Sequence, residues 1–143
     1  MLRKVIIVLT FLMFSTATLN AQDAKPKINP VPATYTSPAS GPEMYQNYCA
    51  ACHGKNGSGD GPAAPALRAV PTDLTTLARK NGGKFPTAHF SSVLTGKATV
   101  AAHGSQEMPV WGKVFWKLSE GHQPEVQQRV SNLEQFVESL QKK

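Results

Sequence analysis

The chain has two cysteines, and both stand in one pentapeptide, Cys49-Ala50-Ala51-Cys52-His53. C-x-x-C-H is the attachment signature of haem c, and no other feature restricts the fold as strongly. The spacing has a chemical reason. Two thiols three residues apart on one turn can each add to a vinyl group of the same porphyrin, and the adjacent His53 then falls under the iron. A redox dithiol of the thioredoxin kind would follow a strand in a βαβ pattern, which the sequence lacks. A structural disulfide leaves His53 unexplained, and structural zinc wants four ligands where no second Cys pair exists. The expected cofactor is one haem c, held by two thioethers at Cys49 and Cys52, with His53 as an iron ligand.

The residues before the motif place the chain. Met1-Leu2-Arg3-Lys4 is a positive start, and Val5 through Phe14 is apolar apart from Thr10. Small residues follow, with Ala21 the expected last residue before cleavage and Ala17 the second choice, so residues 1–21 read as a secretory signal. The apolar run is short for a membrane span, although an uncleaved anchor is the competing reading. No Cys follows it, which argues against a lipid anchor. The expected location is the periplasm, with no membrane insertion once the signal is removed.

Residues 22–40 contain Pro26, Pro30, Pro32 and Pro38 without apolar periodicity, and are expected to be an extended or disordered linker. The folded domain is expected over residues 41–143, small for a self-sufficient core. A formal charge of +6 invites a nucleic-acid reading, but the basic residues are scattered rather than clustered. Without Arg3 and Lys4 the remainder carries 13 basic and 9 acidic residues, and two haem propionates would lower the balance further. Charge therefore bears on solubility and on docking to acidic partners, and no nucleic-acid partner is expected.

A haem held at His53 needs a sixth ligand or an open site. Beyond the leader the thioethers are Met44 and Met108. Met44 precedes Cys49 by five residues on the same helix and cannot reach the opposite haem face. Met108 lies 55 residues past His53 in Glu107-Met108-Pro109-Val110-Trp111-Gly112, a loop constrained by Pro109 and Gly112. His/Met ligation is the usual electron-transfer pair, so Met108 is the expected ligand, with His103 its competitor five residues earlier. His89 reads as an ordinary position near a helix start, and His122, before Pro124, as a surface residue.

The remaining pattern is helical. Ser40-Gly41-Pro42-Glu43 has the spacing of a capping box and opens a helix running to the cysteines. Further candidates are residues 72–80 before Gly82-Gly83, 87–95 before Gly96, and 111–118. A last helix starts at Pro124, with an apolar stripe of Val126, Val130, Leu133, Val137 and Leu140 widened by Phe136. No period-2 strand and no internal repeat stands out. The expected fold is all-α, three to five helices around one covalently bound haem.

Taken together, these residues resemble the class I cytochrome c family over essentially the whole of residues 41–143. The resemblance implies that Gly41 and Tyr45 let the last helix cross the first closely, with Leu133 and Phe136 as partners. It implies that Pro65, in Pro65-Ala66-Leu67, offers its carbonyl to the His53 ring N–H, with Leu67 against the haem. Met108-Pro109-Val110-Trp111 resembles the Met-Pro-x-Trp of many bacterial members, which brings Trp111 to the haem. Residues 57–62 and Pro71-Thr72-Asp73-Leu74 look like small environmental bacterial members.

The function that follows is a periplasmic single-electron carrier, an electron-transfer protein rather than an enzyme. Its expected partners are a dehydrogenase, an oxidase or a cytochrome bc complex. Lys55, Lys97 and Lys113 are candidates to ring the exposed haem edge and steer acidic partners. The alternatives are a fixed cytochrome subunit of a periplasmic dehydrogenase or terminal oxidase, and a gas-binding or peroxidase-like haem protein with an open distal site.

Overall fold

The computed structural model describes residues 31–98 and 108–142. The leader and His103 lie outside them. Among the described residues there are six α-helices and no strand: α1 Gly41–Tyr48, α2 Ala50–His53, α3 Leu77–Lys80, α4 Thr87–Thr95, α5 Trp111–Leu118 and α6 Gln123–Ser139. Short 3-10 turns occupy Ala64–Ala66 and Leu74–Thr76. The all-α expectation holds. The sixth helix arises because the first predicted one breaks at Cys49, whose carbonyl accepts from both the Cys52 amide (3.1 Å) and the His53 amide (2.8 Å). The helix expected over 72–80 starts late: Asp73 is extended (ψ 102°) and caps the 3-10 turn that leads into α3.

α1 begins where the sequence signals. Ser40 is extended and its hydroxyl accepts from the Glu43 amide at 3.2 Å, with Pro42 in the first turn. The capping box is not reciprocal, since the Glu43 carboxylate accepts from the Ser37 amide at 3.4 Å. α4 and α5 have the bounds expected of them, and α4 ends at Gly96 in the left-handed conformation.

α1 and α6 form the main helix pair. A Cβ on Gly41 would collide with the Asn132 carbonyl and come within 2.9 Å of the Phe136 Cβ, so only glycine allows this approach. One turn on, Tyr45 packs on Phe136 with ring centroids 5.1 Å apart. Met44, Tyr45 and Leu133 are fully buried and Val137 nearly so. Burying a side chain such as Leu133 contributes roughly 1.5–3 kcal/mol. Val126, Val130, Leu133 and Val137 from the predicted stripe all face this core, while Leu140 lies half-buried at the helix end. Among the described residues no helix is long and apolar enough to cross a membrane.

Of the Pro-rich segment, residues 31–40 are described and form neither helix nor strand, and the last of them lie against the domain. Thr36 is 2% exposed. The Tyr48 hydroxyl donates to the Thr34 carbonyl at 2.7 Å, and the Thr36 hydroxyl lies 2.7 Å from the Tyr48 hydroxyl oxygen. Asn132 donates to the Pro38 carbonyl at 2.8 Å. Arg129, fully buried on α6, donates to the Thr36 carbonyl at 2.9 Å and to the Ser119 hydroxyl at 3.2 Å. Its guanidinium also pairs with Glu125 at 2.8 Å and lies 5.0 Å from the Tyr35 ring centroid. The buried charge is thus paired and hydrogen-bonded, as burial demands. The packed unit accordingly begins near Thr34, ahead of Gly41. Backbone carbonyls supply most of the acceptors, and composition does not reveal them.

Candidate functional site

The Cys49–His53 turn is held by the loop that follows it. The last four carbonyls of α2 would lack partners in an isolated helix. Here Ala50 accepts from Gly54 (3.0 Å), Ala51 from Ala63 (2.9 Å), Cys52 from Gly61 (3.1 Å) and His53 from Gly59 (2.8 Å). Tyr45 adds a hydrogen bond from its hydroxyl to the Gly54 carbonyl at 2.8 Å. Gly59 sits at φ 84°, and a Cβ there would strike the Pro71 carbonyl, so this loop meets the Pro71–Thr72 segment backbone to backbone.

Cys49 is buried and Cys52 half-buried. Burial, and then the neighbouring Cys52, push the Cys49 thiol up to about 12. A thiol held protonated in apolar surroundings is poor material for a redox dithiol, which needs a depressed pKa. Among the described residues no group of three or more His, Cys, Asp and Glu side chains is placed to hold a metal ion.

His53 is buried, and its Nδ1 lies 3.0 Å from the carbonyl oxygen of Thr72. A hydrogen bond from Nδ1–H to a carbonyl fixes the tautomer in which Nε2 carries the lone pair, the form that ligates a metal. The acceptor is itself anchored. The Asp73 carboxylate accepts from the Thr75 amide at 2.9 Å and from the Thr75 hydroxyl, the Thr76 hydroxyl donates to the Asp73 carbonyl at 3.0 Å, and the Leu74 amide donates to Gly57 at 2.7 Å. The Thr75 hydroxyl, above all, holds the Asp73 carboxyl below its ordinary range. Gln141, just past α6, accepts from the Ala78 amide at 2.8 Å and donates to the Leu74 carbonyl at 2.7 Å, which clamps the same segment from the other side.

His53 and Met108 line one cleft. Its remaining walls are Thr72, Leu74 and Leu77 beside His53, and Pro86, His89, Phe90, Val93 and Leu94 of the α4 region. The cleft encloses about 140 Å³ and is partly open to solvent, so part of any group that fills it stays wet. A tautomer-fixed imidazole, a thioether and apolar walls, with two thiols on the turn before the imidazole, form a donor set that suits haem.

Three site residues named by resemblance are placed otherwise. Pro65 is exposed, and the carbonyl that meets His53 belongs to Thr72, because Pro71 and the Asp73 cap bring that backbone over the imidazole. Leu67 is half-buried and not among the described residues lining the cleft, where Leu74 stands in its place. Trp111 is buried but stacks on Tyr48 (centroids 5.2 Å, 29°) beside Phe115, which makes it part of the α1–α5 core rather than a cleft wall. His122 is exposed at the α6 cap, as expected, and Lys55, Lys97 and Lys113 are exposed. His89, expected at an ordinary helix position, lines the cleft. Its spacing of four from Val93 puts the two on one helix face, which is the signal that could have found it.

An all-α fold whose cleft joins a C-x-x-C-H histidine to a distant methionine defines a c-type cytochrome domain. Residues 36–119 match the family model described as cytochrome c oxidase, cbb3-type, subunit III; this is more than half of the chain, and the chain belongs to that family. No curated protein and no solved structure matches it. The domain binds haem and serves electron transfer.

Proposed function

We propose that the chain is an exported single-electron carrier with one haem c, bound through Cys49 and Cys52 and ligated by His53 and Met108. The observation that carries this is the shared cleft: His53, oriented by Thr72, and Met108 line the same apolar walls. When bound, the haem supplies a one-electron Fe(II)/Fe(III) couple. The Thr72 carbonyl keeps the His53 ring oriented and makes it more basic. The Met108 thioether favours the reduced iron relative to a second imidazole. Leu74, Leu77, Phe90 and Leu94 exclude water from the cleft, and two permanent protein ligands leave no position for a substrate. Lys55, Lys97 and Lys113, outside the cleft, steer acidic redox partners toward the exposed edge. The leader, residues 1–21, directs the chain to the periplasm.

The family match favours a second reading, a fixed subunit of a terminal oxidase complex. Co-purification from detergent-solubilised membranes separates a fixed subunit from a diffusing carrier.

The covalent link is tested by denaturing electrophoresis of the exported protein with a haem stain. The stain is expected on the wild-type band and absent from the Cys49→Ala/Cys52→Ala variant. A wild-type band that loses its haem in detergent overturns the two-thioether assignment.

A further inference from the structure

The carboxylates of a haem pose a problem that the cleft answers at one place. Leu74, Leu77, Phe90 and Leu94 offer nothing to an ionised group, which is costly to bury without a partner. The two carboxylates must therefore lie at the solvent-open side of the cleft. Three described lining side chains carry a hydrogen-bond donor: His53, Thr72 and His89. His53 is committed to the Thr72 carbonyl through Nδ1 and faces the iron through Nε2 in the proposed ligation. Thr72 is half-buried beside it, while His89, in the first turn of α4, is exposed. Met108 is half-buried where His89 is exposed, which orders the two: the thioether lies deeper and the imidazole at the rim.

We propose that His89 donates a hydrogen bond to a haem carboxylate at the mouth of the cleft, and so sets the haem's seating and its reduction potential. This rests on the haem reading above. A donor at the carboxylate offsets negative charge that otherwise favours the oxidised iron, and its loss moves the potential in the negative direction. His89 is a positioning residue, since it acts on the iron through the carboxylate.

The experiment is spectroelectrochemistry of the haem-loaded protein at one fixed pH, comparing wild type with His89→Phe and His89→Gln. The expected result is a more negative potential in His89→Phe and a return toward wild type in His89→Gln, which restores a donor. The far-red charge-transfer band of ferric His/Met haem is expected in all three. An unmoved potential in His89→Phe overturns the proposal. Loss of the far-red band in that variant also overturns it, because His89 would then be acting at the iron. A wild-type protein without a haem spectrum overturns the parent reading, and this proposal with it.

Discussion

The Nδ1 atom of His53 stands 3.0 Å from the carbonyl oxygen of Thr72, nineteen residues further along the chain. That carbonyl is held in place by the next residue, because the Asp73 side chain caps the turn that follows. The orientation of the imidazole thus depends on a carboxylate that never touches it.

Asp73→Ala should therefore act at two levels. Loss of the cap is expected to lower stability by about 1 kcal/mol, measured by urea unfolding. The slackened Thr72 carbonyl should also shift the reduction potential of the loaded protein, an effect that loss of the remote Ser40 cap on α1 would not produce. The pH dependence has a defined sign. The Asp73 carboxyl is held below its ordinary range, so its contribution is present above the unfolded-state value, roughly pH 4, and is lost as pH falls through the folded value. An Asp73→Asn variant should lack that acid-side loss, and identical acid profiles for the two proteins would refute it.

The axial assignment is open to a matched pair of substitutions. Met108→Ala is expected to erase the far-red band, admit carbon monoxide and lower the potential, against a span of about 0.8 V over which axial ligands tune haem. His103→Ala should leave all three unchanged. The reverse pattern would make His103 the ligand and the protein a low-potential bis-histidine carrier.

Arg129 gives a test of the N-terminal segment. Its guanidinium holds the Thr36 carbonyl and also draws the Glu125 carboxyl below its ordinary range. Tyr35 is 62% exposed while Thr36 is buried, so the bond between them is visible to a protease but pinned. Arg129→Met should accelerate chymotryptic cleavage after Tyr35 under native conditions. An unchanged cleavage rate, with the fold intact by circular dichroism, would show that the segment is held by Tyr48 and Asn132 alone.

Side-chain pattern carried much of the fold. The α4 and α5 boundaries and the α6 stripe were legible from spacing, and the Gly41–Tyr45 crossing through the family resemblance alone. Backbone acceptors were not. The Thr72 carbonyl has no signature of its own, and the family's Pro-x-Leu reads in this sequence as Pro65-Ala66-Leu67. The Asp73 to Thr75 spacing, a turn-forming pair, was the available clue. Arg129 escaped for a different reason. It stands three residues after Val126 and four before Leu133, on the apolar stripe itself, but a charged residue type gives no sign of burial when its acceptors are a backbone carbonyl and a hydroxyl. His89 sits at the border between the α4 face that lines the cleft and the one that meets water, where pattern reads either way.

The contacts that close the core join residues far apart in the chain: Thr36 to Arg129, Pro38 to Asn132, Leu74 to Gln141. Such pairings form only after long stretches of chain are available, since loop closure precedes any gain. As the polypeptide emerges from its N-terminal end, nearly all of it must appear before α1 finds α6. During that interval Cys49 and Cys52 belong to an open chain, accessible to the chemistry that the proposed haem attachment requires. Burial of Cys49 belongs to the packed fold, which is complete only when the C-terminal helix meets α1.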